Sequence, residues 1–363
     1  MAILGFGDLR DTALPSLIDL AELKKIELAD GTTFDQVANE IRVGMQALNA
    51  ELLAMPHYGG LFSVQDSVEV EYPVGTTNGI EVATEYSTGD PKRGATTGHS
   101  LPILPYRRVL GWTFLGLRKS RRTTIDADVR SAVTDIRSGW QKSALTRFFK
   151  STAETVGATS GASVPFADGG TADSNYIPLP SPEGKTFLSS HSHYLRVSTL
   201  DLSTAINPAI AHLAEHGHAS PFEIIGSEAD VATWSSLVKH PNWEGLIYRA
   251  ATDRANVGDI GSYFGYIETD YGIARVWLSP RVPTAYFGAF KTYGEGDPRN
   301  PIRVRIDPKT GFGWNIVSGQ WVNMPLNLAV LYAEYGFGIG EDRTNGVAVK
   351  IYGSGSYTDP TIS

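Results

Sequence analysis

The chain has 363 residues, 42% hydrophobic and 19% charged, a globular composition long enough for two domains or for one domain with large excursions, and not a disordered one. A formal net charge of −8 argues against bulk attraction to nucleic acid, and the lack of cysteine removes disulfides and thiolate chemistry. The opening MAILGFGDLRD has neither the basic region nor the apolar run of a signal peptide, and no stretch approaches the roughly 18 apolar residues that would cross a membrane.

In chain order, Pro15 opens a short predicted helix in a loosely organised beginning. Asp30-Gly31 turns the chain, and Thr33 with Gln36 forms a capping box for an amphipathic helix to about Met55, with Phe34, Val37, Ala38, Ile41, Met45, Leu48 and Leu52 as its stripe; Pro56 ends it. Residues 67–73 and 80–86 alternate as strands, 87–100 read as a mobile Gly- and Thr-rich tip, and 104–117 return as strand, together a long hairpin-like excursion. An isolated two-stranded hairpin is marginal in water, so this one needs something to lie against. A spine helix is expected over 123–155, with Thr123 and Asp126 as its cap, Ile125, Val129, Val133, Ile136, Trp140, Ala144 and Phe148 as its apolar stripe, and Gly157 as its stop. Residues 157–185 read as a long loop. Helices are expected at 199–216 and at 227–239, the latter capped by Ser227 with Asp230. Strands are expected at 222–226, 263–268, 273–278, 284–290, 302–306, 314–317, 328–334 and 346–352, followed by a polar tail. Strands interleaved with two helices make an α+β arrangement with a mixed sheet.

Charge is unevenly placed. Residues 1–72 hold 12 acids and 4 bases, a balance of −8, whereas 73–123 hold 3 acids and 8 bases, a balance of +5. Solvated faces account for this, and so does pairing between copies of the chain. On the second reading the candidate inter-subunit contacts are the bases Lys92, Arg93, Arg107, Arg108, Arg118, Arg121 and Arg122 and the acids Asp8, Asp11, Asp19 and Glu22, with Glu27 and Asp30 beside them. Arg121-Arg122 reads as a solvated helix entrance or an intersubunit ion pair in preference to a phosphate patch.

No catalytic constellation is evident. His212, His216 and His218 have a spacing that can ligate zinc, and His191 and His193 form a second pair, but no HExxH is present and surface or capping roles are expected for all five. Glu268 and Asp270 form a carboxylate pair of a kind common by chance among 39 acids. No phosphate-binding or dinucleotide fingerprint occurs, so neither a cofactor nor a metal nor an enzymatic activity is expected.

The order of these parts resembles the tailed-bacteriophage major capsid proteins of the Hong Kong 97 type. The resemblance rests on the acidic arm and helix, the long excursion, the helix opening TTIDADVRSAVTDI, the run GSYFGYIETDYGIARVWLSPRVPTAYFGAFKTY and the closing GFGIGEDRTNGVAVKIY. It implies an α+β capsid fold with an N-terminal arm and helix (1–64), an extended β-hairpin loop (65–122), a peripheral domain carrying the spine helix (123–198), an axial domain with a mixed sheet (199–340), and a return strand and tail (341–363). It further implies a subunit that self-assembles as hexamers and pentamers into an icosahedral shell around double-stranded DNA, contacted without sequence specificity. The same resemblance implies a place in the virion with assembly in the host cytoplasm, a scaffolding, cement or portal protein as further partner, and no membrane. The family's type member joins subunits by a Lys–Asn isopeptide bond; Lys92 stands near the loop tip here, with no identified Asn and acid partners. No cleaved, highly charged scaffolding segment is expected at the start of the chain. An encapsulin-like compartment is the alternative within the fold, and a β-rich glycan-binding or glycan-active protein, suggested by 16 Tyr and 7 Trp, is the alternative outside it.

Overall fold

The computed structural model describes residues 27–53, 61–74, 95–113, 116, 119–155, 162–167, 191–238, 262–294, 296–319 and 326–362. The expected helix at Pro15, the strand at 80–86, the tip at 87–94 and most of the loop at 157–185 lie outside them. The chain divides into two compact units: residues 1–49, 107–135 and 314–332, and residues 50–106, 136–313 and 333–363.

In the first unit, helix α1 (Phe34–Leu53) begins as its sequence predicts. The Gln36 amide donates to Thr33 Oγ1 at 3.4 Å and the Thr33 amide to Gln36 Oε1 at 3.3 Å, the reciprocal pair of a capping box. Val37 is buried with Leu28 and Ile125, and Ile41, Trp112 and Val129 close over them.

Helix α2 (Arg122–Phe149) is the spine, 28 residues or about 42 Å at 1.5 Å per residue. Its cap is not the local Thr123–Asp126 pair. The Arg122 amide instead donates to Asp30 Oδ2 at 2.8 Å, a partner 92 positions away that no local pattern announces. Its end is also earlier than Gly157. The freed carbonyls are taken by side chains brought in from afar: Tyr357 Oη donates to the Phe149 carbonyl at 2.8 Å, and Tyr194 Oη to that of Lys150, also at 2.8 Å. Arg147 reaches the same Lys150 carbonyl at 2.6 Å. With these donors in place, further helical turns are not needed to satisfy the backbone. The chain turns into strand β5 (Glu154–Thr155), paired with β6 (Ala162–Ser163). The polar tail supplies one of these donors and is docked, with Asp359 accepting from the Ser151 amide at 2.9 Å and Ile362 buried.

The excursion differs from its expected pairing. β2 (Glu69–Val74) pairs antiparallel with β3 (Ala95–Ser100), from the segment read as tip. Gly98 makes this possible, because a Cβ there would sit 2.4 Å from the Val70 carbonyl oxygen. The expected return strand is β4 (Leu104–Thr113), which joins the long β14 (Leu326–Ile339) and stacks Tyr106 on Tyr335 at 4.3 Å. In the first unit β14 also carries β13 (Asn315–Gly319). In the second it pairs antiparallel with β12 (Ile302–Ile306), which runs parallel to β1 (Phe62–Gln65).

The second unit's larger sheet has six strands. β7 (Tyr194–Arg196), β15 (Val347–Lys350), β11 (Tyr286–Phe290), β8 (Phe222–Ser227), β10 (Gly272–Ser279) and β9 (Ser262–Thr269) lie side by side in that order, mixed in direction as expected. Against it pack α3 (Asn207–Glu215), entered through a π-turn at Leu202–Ile206, and α4 (Val231–Leu237), entered through a 3-10 turn at Glu228–Asp230. Ser227 caps that turn through the Ala229 amide, while Asp230 is drawn off to the Ala285 amide at 2.8 Å. Gly226 lets Trp234 lie directly on the sheet; a Cβ there would be 2.6 Å from the indole.

Trp140 is 1% exposed and meets Phe62, Phe312, Tyr335 and Phe337 at centroid distances of 4.7–6.0 Å. Trp140→Ala is expected to cost roughly 3–5 kcal/mol by opening a cavity, and a thermal melt of the full chain that is unchanged would refute this packing. A second expectation concerns His99 on β3, whose Nε2–H donates to the Ile339 carbonyl at 2.9 Å. Burial lowers its pKa from the ordinary 6.5 to about 4. Above 6.5 both folded and unfolded rings are neutral. Below it the unfolded ring takes a proton that the folded one refuses, so stability falls from pH 6.5 towards 4, by on the order of a few kcal/mol. Denaturant titrations of wild type and His99→Gln across that window should diverge, with the variant showing the shallower fall.

Candidate functional site

The charged positions expected to join subunits are only in part described: Lys92, Arg93, Arg118, Asp8, Asp11, Asp19 and Glu22 lie outside the described residues. Of the remainder, two basic side chains meet acids of their own chain. Arg108 pairs with Asp135 at 3.0 Å. Arg122 holds Glu40 by a short contact and Asp126 at 3.6 Å, while its amide rests on Asp30. The Arg122 amide, ahead of the Thr32 amide, holds the Asp30 carboxyl below its ordinary range. Asp30 is thus a helix cap of this chain. Arg107 and Arg121 are exposed and make no ion pair among the described residues. Glu27 is bridged by its backbone to Thr33.

Apolar exposure gathers on the β9–β10 hairpin of the second unit. Tyr263, Tyr271 and Ile273 are all exposed, and Tyr263 packs on Trp277 at 4.8 Å. Among the described residues β9 is the outermost strand of the six-stranded sheet. The Glu268–Asp270 pair belongs to the same hairpin and is not a joint site: Asp270 accepts from Asn207 Nδ2 at 2.7 Å, and Glu268 is exposed.

The histidines expected at the surface or in caps form a cluster. His193 immediately precedes β7 and is fully buried; His191, His212 and His216 surround it half-buried. Alternation in the extended chain puts His191 and His193 on one side, their rings stacked at 5.3 Å, while one helical turn separates His212 on α3 from His216, the residue that ends the helix. The two pairs then meet, with His191 4.6 Å from His212 and His193 4.9 Å from His216, between ring centroids. His193 Nδ1–H donates to the Gly346 carbonyl at 2.9 Å, which fixes the tautomer and leaves Nε2 with its lone pair, 3.0 Å from His216 Nε2. His212 Nδ1 is buried with no hydrogen-bond partner among the described residues. Glu215 lies 3.8 Å from His191 Nε2. Burial, reinforced by neighbouring rings, lowers the pKa of His193 well below the ordinary value, that of His212 to about 4 and that of His216 to about 3, so these rings are neutral near pH 7.

His218, the third member of the spacing read from sequence, is elsewhere. Its Nδ1 meets Tyr293 Oη at 2.8 Å and its Nε2 lies 3.5 Å from Asp342. Sequence spacing therefore found the two local pairs but joined the wrong three residues. Pairing β7 beside β15, with α3 over β15, is what brings H-S-H to H-x3-H, and that is a tertiary event.

No family model and no curated protein matches the chain. Solved structures do. A chain from Mycobacterium phage Patience is 18% identical, with 96% of each chain covered and a TM-score of 0.59. A chain of the bacteriophage PhiM1 mature capsid is 11% identical over 82% of this chain and 87% of that one, with a TM-score of 0.49. A chain of the native GTA particle capsid is 12% identical over 82% and 90%, with a TM-score of 0.45. Along nearly its whole length this chain shares its fold with the chain from Mycobacterium phage Patience.

Proposed function

We propose that this protein is the major subunit of a tailed-phage capsid of the Hong Kong 97 type. It is a structural protein without a catalytic role, assembling through hexamers and pentamers into an icosahedral shell around double-stranded DNA. The observation that carries the reading is the shared fold over 96% of both chains with the phage Patience structure. The chemistry of the surface is consistent with it. Exposed Tyr263 and Ile273 on the β9–β10 hairpin are a ready contact for another copy, and a closed shell repeats such a contact in every subunit. At a net charge of −8 the chain has no bulk attraction for DNA, which suits enclosure without sequence-specific contacts. The virion is the proposed location, with assembly in the host cytoplasm and a scaffolding, cement or portal protein as further partner.

Purified full-length protein should form megadalton closed particles, seen by light scattering and negative-stain microscopy. A stable monomer or small oligomer under all assembly conditions would overturn the reading. The two neighbouring arginines separate folding from assembly. Arg122→Glu removes the contacts to Glu40 and Asp126 and should lower the melting temperature of the unassembled chain. Arg121→Glu, which breaks no ion pair among the described residues, should leave that melt unchanged and slow or misdirect particle formation, most visibly at low salt. Normal assembly of Arg121→Glu at low salt would remove Arg121 from the contact.

A further inference from the structure

We propose that the histidine cluster beside β7 is a binding site for one divalent transition-metal ion of the zinc class, held by His191, His193 and His216, with its fourth ligand drawn from His212 and Glu215. Two sets of ligand atoms, those of His191, His193 and His216 and those of His191, His212 and Glu215, each lie within 4.8 Å of one another and share His191. The nitrogens of a tetrahedral zinc site, each about 2.0–2.1 Å from the metal, stand about 3.3 Å apart, close to the 3.0 Å between the His193 and His216 Nε2 atoms. His193 is already oriented as a ligand is, its other ring nitrogen donating to a backbone carbonyl, that of Gly346, so that Nε2 points its lone pair into the cluster. The buried His212 Nδ1, without a hydrogen-bond partner among the described residues, is a polar atom that a ligated or solvated ion at this site would help to explain.

The donor set also selects the ion. Imidazoles with one carboxylate suit zinc, copper, nickel or cobalt, whereas magnesium and calcium take oxygen ligands. The ion would tie the extended segment ahead of β7 to the C-terminal end of α3. Both belong to the second unit, so the site is complete within one chain and does not depend on the shell reading.

The test uses untagged full-length protein, stripped with chelator and dialysed, either assembled or unassembled. Added cobalt should give the intense visible bands of a tetrahedral site, displaced by zinc at one equivalent per chain. Zinc should raise the melting temperature and chelator should reverse the rise. His191→Gln and His216→Gln, both at half-buried positions, should each weaken cobalt binding by more than about tenfold, the least expected for a direct ligand when outer partners alone cost 10–100-fold. Circular dichroism checks that each variant is folded; if one is not, the other decides. Weak octahedral cobalt spectra, no metal retained through gel filtration, or unchanged affinity in a folded variant would each overturn the proposal.

Discussion

The burial of one face of α2 is the constraint on which the second unit's interior depends. Trp140 cannot be left in water at acceptable cost, and the ring neighbours that cover it come from β1, from β14 and from the turn at Phe312. About two turns further along, Phe148 lies against Phe149, Phe166 and Phe290, extending the same seam into the six-stranded sheet. Gly288 allows that approach, since a Cβ there would meet the Phe148 ring at 2.3 Å. From Ile136 to Phe148 the apolar stripe is continuous, so strands distant in sequence share one face of the helix within the second unit.

Around this seam the irregular segments are held by buried polar side chains. Asn345 accepts from the Lys291 amide at 2.8 Å and donates to the carbonyls of Lys291 and Arg299. Asn300 accepts from the Tyr293 amide and donates to the carbonyls of Phe62 and Gly294. Arg343 donates to the Pro165 carbonyl at 3.0 Å, and Arg147 to that of Ser163 at 3.2 Å. Backbone groups in loops packed against a core must find partners, and these four side chains supply them where no ladder or helix does. Glu223, buried on β8, follows the same rule with Arg275 and with Trp277 Nε1 at 2.7 Å; burial raises its carboxyl pKa, while these donors act in the opposite direction.

Among the described residues some of the charged side chains have a local role. In the first unit the acids Asp30, Glu40, Asp126 and Asp135 gather round Arg108 and Arg122, and one of them caps the helix whose entrance the arginine occupies. Each such exposed ion pair is worth only about 0–1 kcal/mol. The arrangement therefore orients the start of α2 more than it stabilises it.

Legible along the chain were the features that depend on neighbouring residues. The capping box at Thr33 and Gln36 and the periodicity of α1 and α2 rest on contacts a few residues apart, and the strands of the mixed sheet, signalled by their local composition, lie close to their expected positions. The order of parts was enough to suggest the fold. Tertiary structure decided whatever depended on distant partners. It set the cap of α2 at Asp30 and its end at Phe149, where Tyr194, Tyr357 and Arg147 supply donors to the last carbonyls. It paired β2 with a Gly- and Thr-rich segment that reads as loop until Gly98 is placed against Val70. It joined His191 and His193 to His212 and His216 and left His218 with Tyr293, because strand order in a sheet is settled by which apolar faces bury together, and spacing along the chain carries no record of that choice.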